Sequence, residues 1–297
     1  MALDFAKRLK SGEVILFDGG MGTEIAARGG TPGAASNVGS PDIVLAIQRE
    51  YARAGADVIS TNSFSVNRLA LAKAGAADRL REFAGAACHI GRKAAGRTRF
   101  LAGDIGASGE FVEPYGPIKP TEMRACFEEA ALALAENGVD LFIIETMSEA
   151  TEITLAIQAC KAVAPKLPVA ATMSFDPVRG EFRTNTGLTA ADAAKVITDA
   201  GADVIGANCG AVTPERMPEL VAKMRAASDR PILIQANAGL PELRNGRAVY
   251  TLSPEDFARG IVQAVQAGAQ LAGGCCGTTP AHIRALRTAL SGKTAAD

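Results

Sequence analysis

Four short segments of the 297-residue chain repeat one pattern: Ala54-Gly55-Ala56-Asp57-Val58-Ile59, Asn137-Gly138-Val139-Asp140-Leu141-Phe142, Ala200-Gly201-Ala202-Asp203-Val204-Ile205 and Ala267-Gly268-Ala269-Gln270-Leu271-Ala272. In each, a helical stretch stops at glycine and a run of β-branched or apolar residues begins. Glycine suits the left-handed residue just past a helix C-terminus, and an apolar run suits a strand buried on both faces. The four glycines lie 83, 63 and 67 residues apart. Those intervals are twice a βα unit of about 30 residues or more, so the repeats mark every second strand of a parallel sheet.

The intervening strands fall where that phasing puts them, at Val14 to Phe17, Phe100 to Gly103, Pro168 to Ser174 and Pro231 to Ala236. Helical patterns opened by Ser, Thr or Pro lie between them, among them Pro41 to Ala54, Thr121 to Asn137, Pro254 to Ala267 and Pro280 to Leu290. Eight strands with helices between predict a single (β/α)8 TIM barrel over residues 1–297, without a linker or second domain. An open doubly wound sheet shares the alternation and is the rival architecture. The surplus in the longest interval predicts a second helix within Asp78 to Ala95 and a loop over Ser108 to Pro120. Further extended loops follow strand one (Gly29 to Ser40), strand five (Asp176 to Gly187) and strand seven (Asn237 to Ser253). All sit at strand C-termini, the face on which barrel enzymes build their sites.

With 48% apolar and 21% charged residues and a formal net charge of -1, the chain is neither a disordered polyelectrolyte nor a basic nucleic-acid binder. It carries no apolar run of about 20 residues, and Met1 to Glu13 lacks a signal-peptide core, which predicts a cytoplasmic protein without membrane segments. In a reducing cytosol its six cysteines are not a disulfide framework.

Three of those cysteines fall at strand ends: Cys209 in Ala207-Asn208-Cys209-Gly210 after strand six, and Cys275 and Cys276 in Gly273-Gly274-Cys275-Cys276-Gly277-Thr278-Thr279 after strand eight. Closure of a barrel brings both ends to one mouth. Adjacent side chains on a strand point apart, so the vicinal pair shares a metal only where the backbone turns, which the flanking glycines permit. Three thiolates with one open position is the protein's share of a catalytic zinc site, and sulfur favours zinc over hard cations. Such a site carries net charge -1 and activates water poorly, but it ionises an incoming thiol. The alternatives are three thiols that fill core space, or a vicinal disulfide.

Strand one runs into Asp18-Gly19-Gly20-Met21-Gly22-Thr23, a glycine-rich turn whose amides suit a substrate carboxylate and whose Asp18 suits an ammonium group. A tight turn capped by Asp18 is the structural alternative. Glu145 ends strand four after apolar residues, where a carboxylate needs a partner, and is a second candidate for the ammonium. Asp104 and Asn62 sit at similar heights with a weaker case, and Asn237 after strand seven is placed to reach the metal. His89 and His282 read as packing or capping residues, and Cys88, Cys126 and Cys160 as helix core.

Together with Gly103-Asp104-Ile105-Gly106, Glu145-Thr146, Asn208-Cys209 and Asn237-Ala238-Gly239, these motifs resemble the homocysteine S-methyltransferase family over about Gly12 to Leu290. The resemblance implies a zinc barrel that methylates the thiol of homocysteine to give methionine. It makes Cys209, Cys275 and Cys276 the Zn2+ ligands and catalytic centre, and places Asp18 and Glu145 near the amino group of homocysteine. Gly19, Gly20 and Met21 fall near its carboxylate, and Asn237 caps the metal before substrate arrives. Betaine-using relatives carry a Trp after strand one and a Tyr after the Phe that ends strand two. This chain has no Trp, and Phe64 is followed by Ser65. Ser60-Thr61-Asn62-Ser63-Phe64 is closer to the homocysteine module of cobalamin-dependent synthases. The implied donor is a methyl-corrinoid on a separate protein or a small methylsulfonium compound. The alternatives are betaine, supplied with another aromatic cage by Phe111, Tyr115 or Tyr250, and a noncatalytic zinc-binding subunit of a corrinoid system.

Overall fold

A computed structural model describes residues 4–244 and 247–292; the ends of the 1–297 span and the tip of the strand-seven loop lie outside the described residues. Eight strands form one parallel sheet: β1 (Ile15–Leu16), β2 (Val58–Ser60), β3 (Phe100–Gly106), β4 (Leu141–Met147), β5 (Val169–Met173), β6 (Val204–Asn208), β7 (Ile232–Ala236) and β8 (Leu271–Gly274). Each pairs with its neighbours in chain order, and β1 also pairs with β8 through Ile15↔Leu271 and Leu16↔Ala272. A bridge between Phe17 and Val58 joins β1 to β2 and completes the ring. The open doubly wound alternative has no such seam, and the architecture is the (β/α)8 barrel.

The helices follow the expected boundaries closely, with Pro41–Ala54 and Pro280–Leu290 as expected and a helix over Leu80–Ala95 in the long interval. Residues 68–73 add a short helix that the sequence pattern does not show. The loops after β5 and β7 are not irregular: each contains a small antiparallel hairpin, Asp176–Val178 with Glu181–Arg183 and Glu242–Arg244 with Arg247–Val249.

The four-fold repeat has a structural meaning beyond its glycines, which do take positive φ at 55, 138, 201 and 268. Two residues after each glycine stands Asp57, Asp140, Asp203 or Gln270, and each accepts a hydrogen bond from the start of the preceding strand. The donors are the amides of Leu16 (2.8 Å), Leu101 (2.7 Å), Val169 (2.8 Å) and Ile232 (2.9 Å). Each acceptor is also engaged by a cation from a helix: Arg287, Arg92, Lys161 and Arg225 respectively. The repeat is thus a set of four clamps at the strand N-termini, joining odd strands to even ones where a bare amide would otherwise be left unpaired.

Two apolar cores result. One lies between sheet and helices. The other fills the barrel with alternate strand residues such as Ile15, Phe17, Val58, Phe100, Ala102, Leu141, Ile143, Ala170, Val204, Leu233 and Leu271. An N-terminal helix, Phe5–Leu9, adds Phe5 to this inner core, edge-on to Phe100 with ring centroids 5.1 Å apart.

Candidate active site

Side chains alternate along a strand, so the inward positions above the inner core follow from its members. They are Ser60 above Val58, Asp104 above Ala102, Glu145 above Ile143, Thr172 above Ala170, Asn208 two positions beyond Gly206, and Gln235 above Leu233. The barrel interior therefore changes from apolar to polar along every one of these strands. Above this layer opens a cavity of about 490 Å³. Asp18, Gly19, Gly20, Met21, Glu145, Cys209, Cys275 and Cys276 all line it, as do Asp104 and Gln235.

The sulfur atoms of Cys209, Cys275 and Cys276 lie within 4.8 Å of one another. Tetrahedral zinc at about 2.3 Å from each sulfur needs separations of roughly 3.8 Å, which this cluster accommodates. The Cys209 thiol is pushed down to about 3 because Cys275 and Cys276 donate hydrogen bonds to it, while the same sharing holds Cys275 high and Cys276 at about 11. The three remaining cysteines are buried in the helices, as expected, and burial raises their thiols.

The turns that present the sulfurs are interlocked. The β1 turn rests on the β8 turn: Gly20 N–H donates to Thr278 Oγ1 (2.9 Å), Thr278 Oγ1 to Cys275 O (2.7 Å), and Gly274 N–H to Asp18 O (2.9 Å). A side chain at Gly19 would strike Thr278 Oγ1 and Tyr51, and one at Gly20 would strike Cys275 O, each at 2.6 to 2.9 Å, so only glycine allows this approach. Buried Tyr51 ties both turns by donating to Thr278 O (2.9 Å) and Gly20 O (3.2 Å). Across the mouth, Asn208 accepts from Thr146 N–H (2.8 Å) and Thr172 Oγ1 (2.7 Å) and directs its amide nitrogen to Thr146 Oγ1 and the Cys275 sulfur. Thr146 and Cys209 take positive φ, 59° and 54°. Left-handed backbone at a β-branched residue and at a cysteine is strain of the kind concentrated at functional sites.

The acids divide. Asp18 accepts from Ser60 N–H (2.8 Å) and Oγ (2.9 Å), but burial outweighs both and lifts its carboxyl to about 6. Glu145 rises to about 8 through burial, then through the negative charges of Cys209 and Asp18. Gly20, expected to donate to a carboxylate, spends its N–H on Thr278. The helix Met21–Ala27 that follows starts beside the cavity without a side-chain cap. Asn237 is not on the cavity wall: its Nδ2 donates to Gly210 O (2.9 Å), while its buried Oδ1 has no partner among the described residues and its side chain lies beside Cys209. His282 is a capping residue, accepting at Nδ1 from Thr279 N–H (3.2 Å) and packing edge-on against Phe257. His89, expected to pack or cap, is exposed instead.

Sequence reasoning passes over Thr172 and Gln235, and gives no role of their own to Ser60, Asn208 and Thr278, which it meets only inside motifs. Ser60, Thr172, Asn208, Gln235 and Thr278 build the site's floor and turns. The signal for the first four is a single polar residue at the inward parity of an otherwise apolar strand. Of the aromatic residues suggested as a cage, Phe111 and Tyr115 are exposed and absent from the cavity wall, and Tyr250 packs on Gly277; the aromatic side chain on the wall is Phe64.

Residues 15–290 match the family model described as homocysteine S-methyltransferase. Methionine synthase from Mycobacterium tuberculosis (strain ATCC 25618 / H37Rv) is 31% identical over 304 aligned residues, which cover 95% of this chain and 25% of that protein. Methionine synthase from Mycobacterium leprae (strain TN) is 30% identical over 262, covering 84% of this chain and 21% of that protein. The chain thus spans about a quarter of the length of these curated relatives. The metallated form of the homocysteine methyltransferase MmuM from Escherichia coli shares the fold with a TM-score of 0.77 at 24% identity, covering 95% of this chain and 98% of that one. Its apo form gives 0.71 over 94% and 97%.

Proposed function

Because the chain belongs to the homocysteine S-methyltransferase family, we propose that it transfers a methyl group to the thiol of homocysteine, forming methionine, with Cys209, Cys275 and Cys276 holding zinc. The observation that carries this reading is the gathering of three thiols from the ends of β6 and β8 on the wall of one cavity that the carboxyls of Asp18 and Glu145 also line. The donor set fits the metal: the sulfurs are close enough to share one ion, hydrogen bonds from Cys275 and Cys276 draw the Cys209 thiol down, and the Asn237 side chain lies beside Cys209. Zinc supplies there a Lewis acid that lowers the pKa of an arriving thiol from about 8.5 and keeps it nucleophilic.

The chain's own residues orient the substrate. Asp18 and Glu145 accept from the substrate ammonium, and the uncapped start of the helix at Met21 faces its carboxylate. Both acids lie above the usual carboxylate range while no cation stands between them, so an arriving ammonium is favoured by the charge it restores. Held at both ends, homocysteine presents sulfur to the mouth, where the donor enters. The sulfur lone pair forms the new S–CH3 bond, the old methyl bond breaks with its electron pair left on the donor, and the thiol proton passes to solvent. The enzyme's work is alignment, thiol ionisation and exclusion of water.

A methyl-corrinoid or a small methylsulfonium compound is the donor we propose. Betaine is disfavoured because a quaternary ammonium is held by several aromatic faces and Phe64 stands alone among the described wall residues. No helix among the described residues is long and apolar enough to cross a membrane.

The test is to purify the protein under reducing conditions without chelator, measure zinc, and supply homocysteine with methylcobalamin or S-methylmethionine. About one zinc per chain and methionine formed with one donor are expected. Metal-free protein with six freely titrating thiols would defeat the reading, and zinc-loaded protein inert with every donor would favour the noncatalytic subunit.

A further inference from the structure

Two buried polar side chains on the cavity wall each keep an oxygen without a partner among the described residues. Asp104 is 6% exposed and Gln235 is 3% exposed, and Asp104 Oδ1 and Gln235 Oε1 lack any hydrogen bond. Native structures seldom leave such atoms unmet, since each forfeits its hydration without compensation. The backbone holding Asp104 is fixed: its N–H donates to Thr61 Oγ1 (3.0 Å) and its carbonyl accepts from Ser63 Oγ (2.6 Å). The backbone is thus held in place, while the carboxyl makes no hydrogen bond among the described residues. Asp18, by contrast, has both oxygens engaged by Ser60.

Both orphaned atoms are acceptors, so the missing group is a donor. Burial first, then the fields of Glu145 and Asp18, hold the Asp104 carboxyl well above the usual carboxylate range. A cation with several N–H donors removes that conflict. A primary ammonium carries three, and three carboxyls line this wall.

We propose that Asp104 is a third acceptor for the ammonium of the amino acid bound here, and that it sets the pocket's preference for an amino thiol over the same thiol without the amine. The inference rests on the homocysteine reading above and adds to Asp18 and Glu145 a residue that accepts from substrate directly.

The test compares L-homocysteine with 4-sulfanylbutanoate, which keeps thiol, chain and carboxylate and lacks only the amine. Calorimetric titration of the zinc-loaded wild type, Asp104→Asn and Asp104→Ser gives a ratio of dissociation constants in which sulfur and carboxylate contributions cancel. In both variants the preference for homocysteine should fall about tenfold or more, the loss expected for a charge-assisted hydrogen bond, with 4-sulfanylbutanoate bound as well as before. A wild type that discriminates and variants that discriminate equally well would overturn the role of Asp104 alone. Equal weakening of both ligands would make Asp104 a structural residue. A wild type with no preference would overturn the ammonium site as a whole, Asp18 and Glu145 included.

Discussion

The two rims of the barrel are built from the same eight strands and handle polar groups in opposite ways. At the strand N-termini, Asp57, Asp140, Asp203 and Gln270 repeat one arrangement, each accepting from a strand amide and from a helix-borne cation. At the C-termini there is no such repeat among the described residues. Asp104, Gln235 and Asn237 keep acceptors without partners, and Thr146 and Cys209 hold left-handed backbone. A rim whose polar atoms are all answered within the chain stabilises; a rim that leaves acceptors open and backbone strained is waiting for ligands. The inner core between the two rims lets one be altered without the other.

The largest effect should come from the open rim. Cys209→Ala removes one of three metal ligands, so zinc content should fall from about one per chain toward zero and methyl transfer by more than about 100-fold. The melting of metal-free protein should barely move. A variant that retains zinc would break the contrast. In the inner core the pattern should reverse: Phe17→Ala leaves a cavity costing about 3–5 kcal/mol in denaturant unfolding, while the protein that remains folded still binds zinc. At the closed rim, Asp140→Ala strips the partner from Leu101 N–H and leaves Arg92 only its bond to Gly138 O, a loss of about 1–3 kcal/mol, again with zinc content intact.

The smallest effect separates the rims by pH. Glu145 is raised from an ordinary 4.5 to about 8. The metal-free folded state therefore binds a proton that the unfolded chain releases, and this contribution is full below about pH 4.5 and lost as pH rises through about 8. Glu145→Gln removes the titration, so thermal melts of the two proteins should converge near pH 4 and diverge above it. The variant should be the more stable by on the order of 1–2 kcal/mol at pH 8, allowing for solvent in the cavity. Parallel melting curves across this range would mean that the carboxylate is solvated after all.

Much of the fold and of the site is legible in the amino-acid sequence. The glycine repeat sets the strand phase because a helix stop and a buried strand are local events, governed by left-handed φ and by apolar runs. Cys209, Cys275, Cys276, Asp18 and Glu145 can be picked out because they stand at strand ends, and a barrel sends all strand ends to one mouth. Gln235 and Thr172 stay hidden because one polar residue in an apolar strand reads as noise until its parity is checked against its neighbours. The aspartates of the repeat are plain in the sequence, but their clamp is not, because their partners stand 34 to 41 residues earlier in the chain.

By itself the sequence determined the order of strands and helices, the face on which the loops gather and the residue types delivered there, since these depend on periodicity and propensity over a few residues. Only the tertiary structure decided that Phe17 meets Val58 to close the ring, that cysteines 66 positions apart approach within 4.8 Å, and that Gly20 spends its amide on Thr278. It alone showed which buried acceptors are left over. Whether a polar atom is satisfied depends on every group that surrounds it in space, and those groups come from strands that the chain visits far apart.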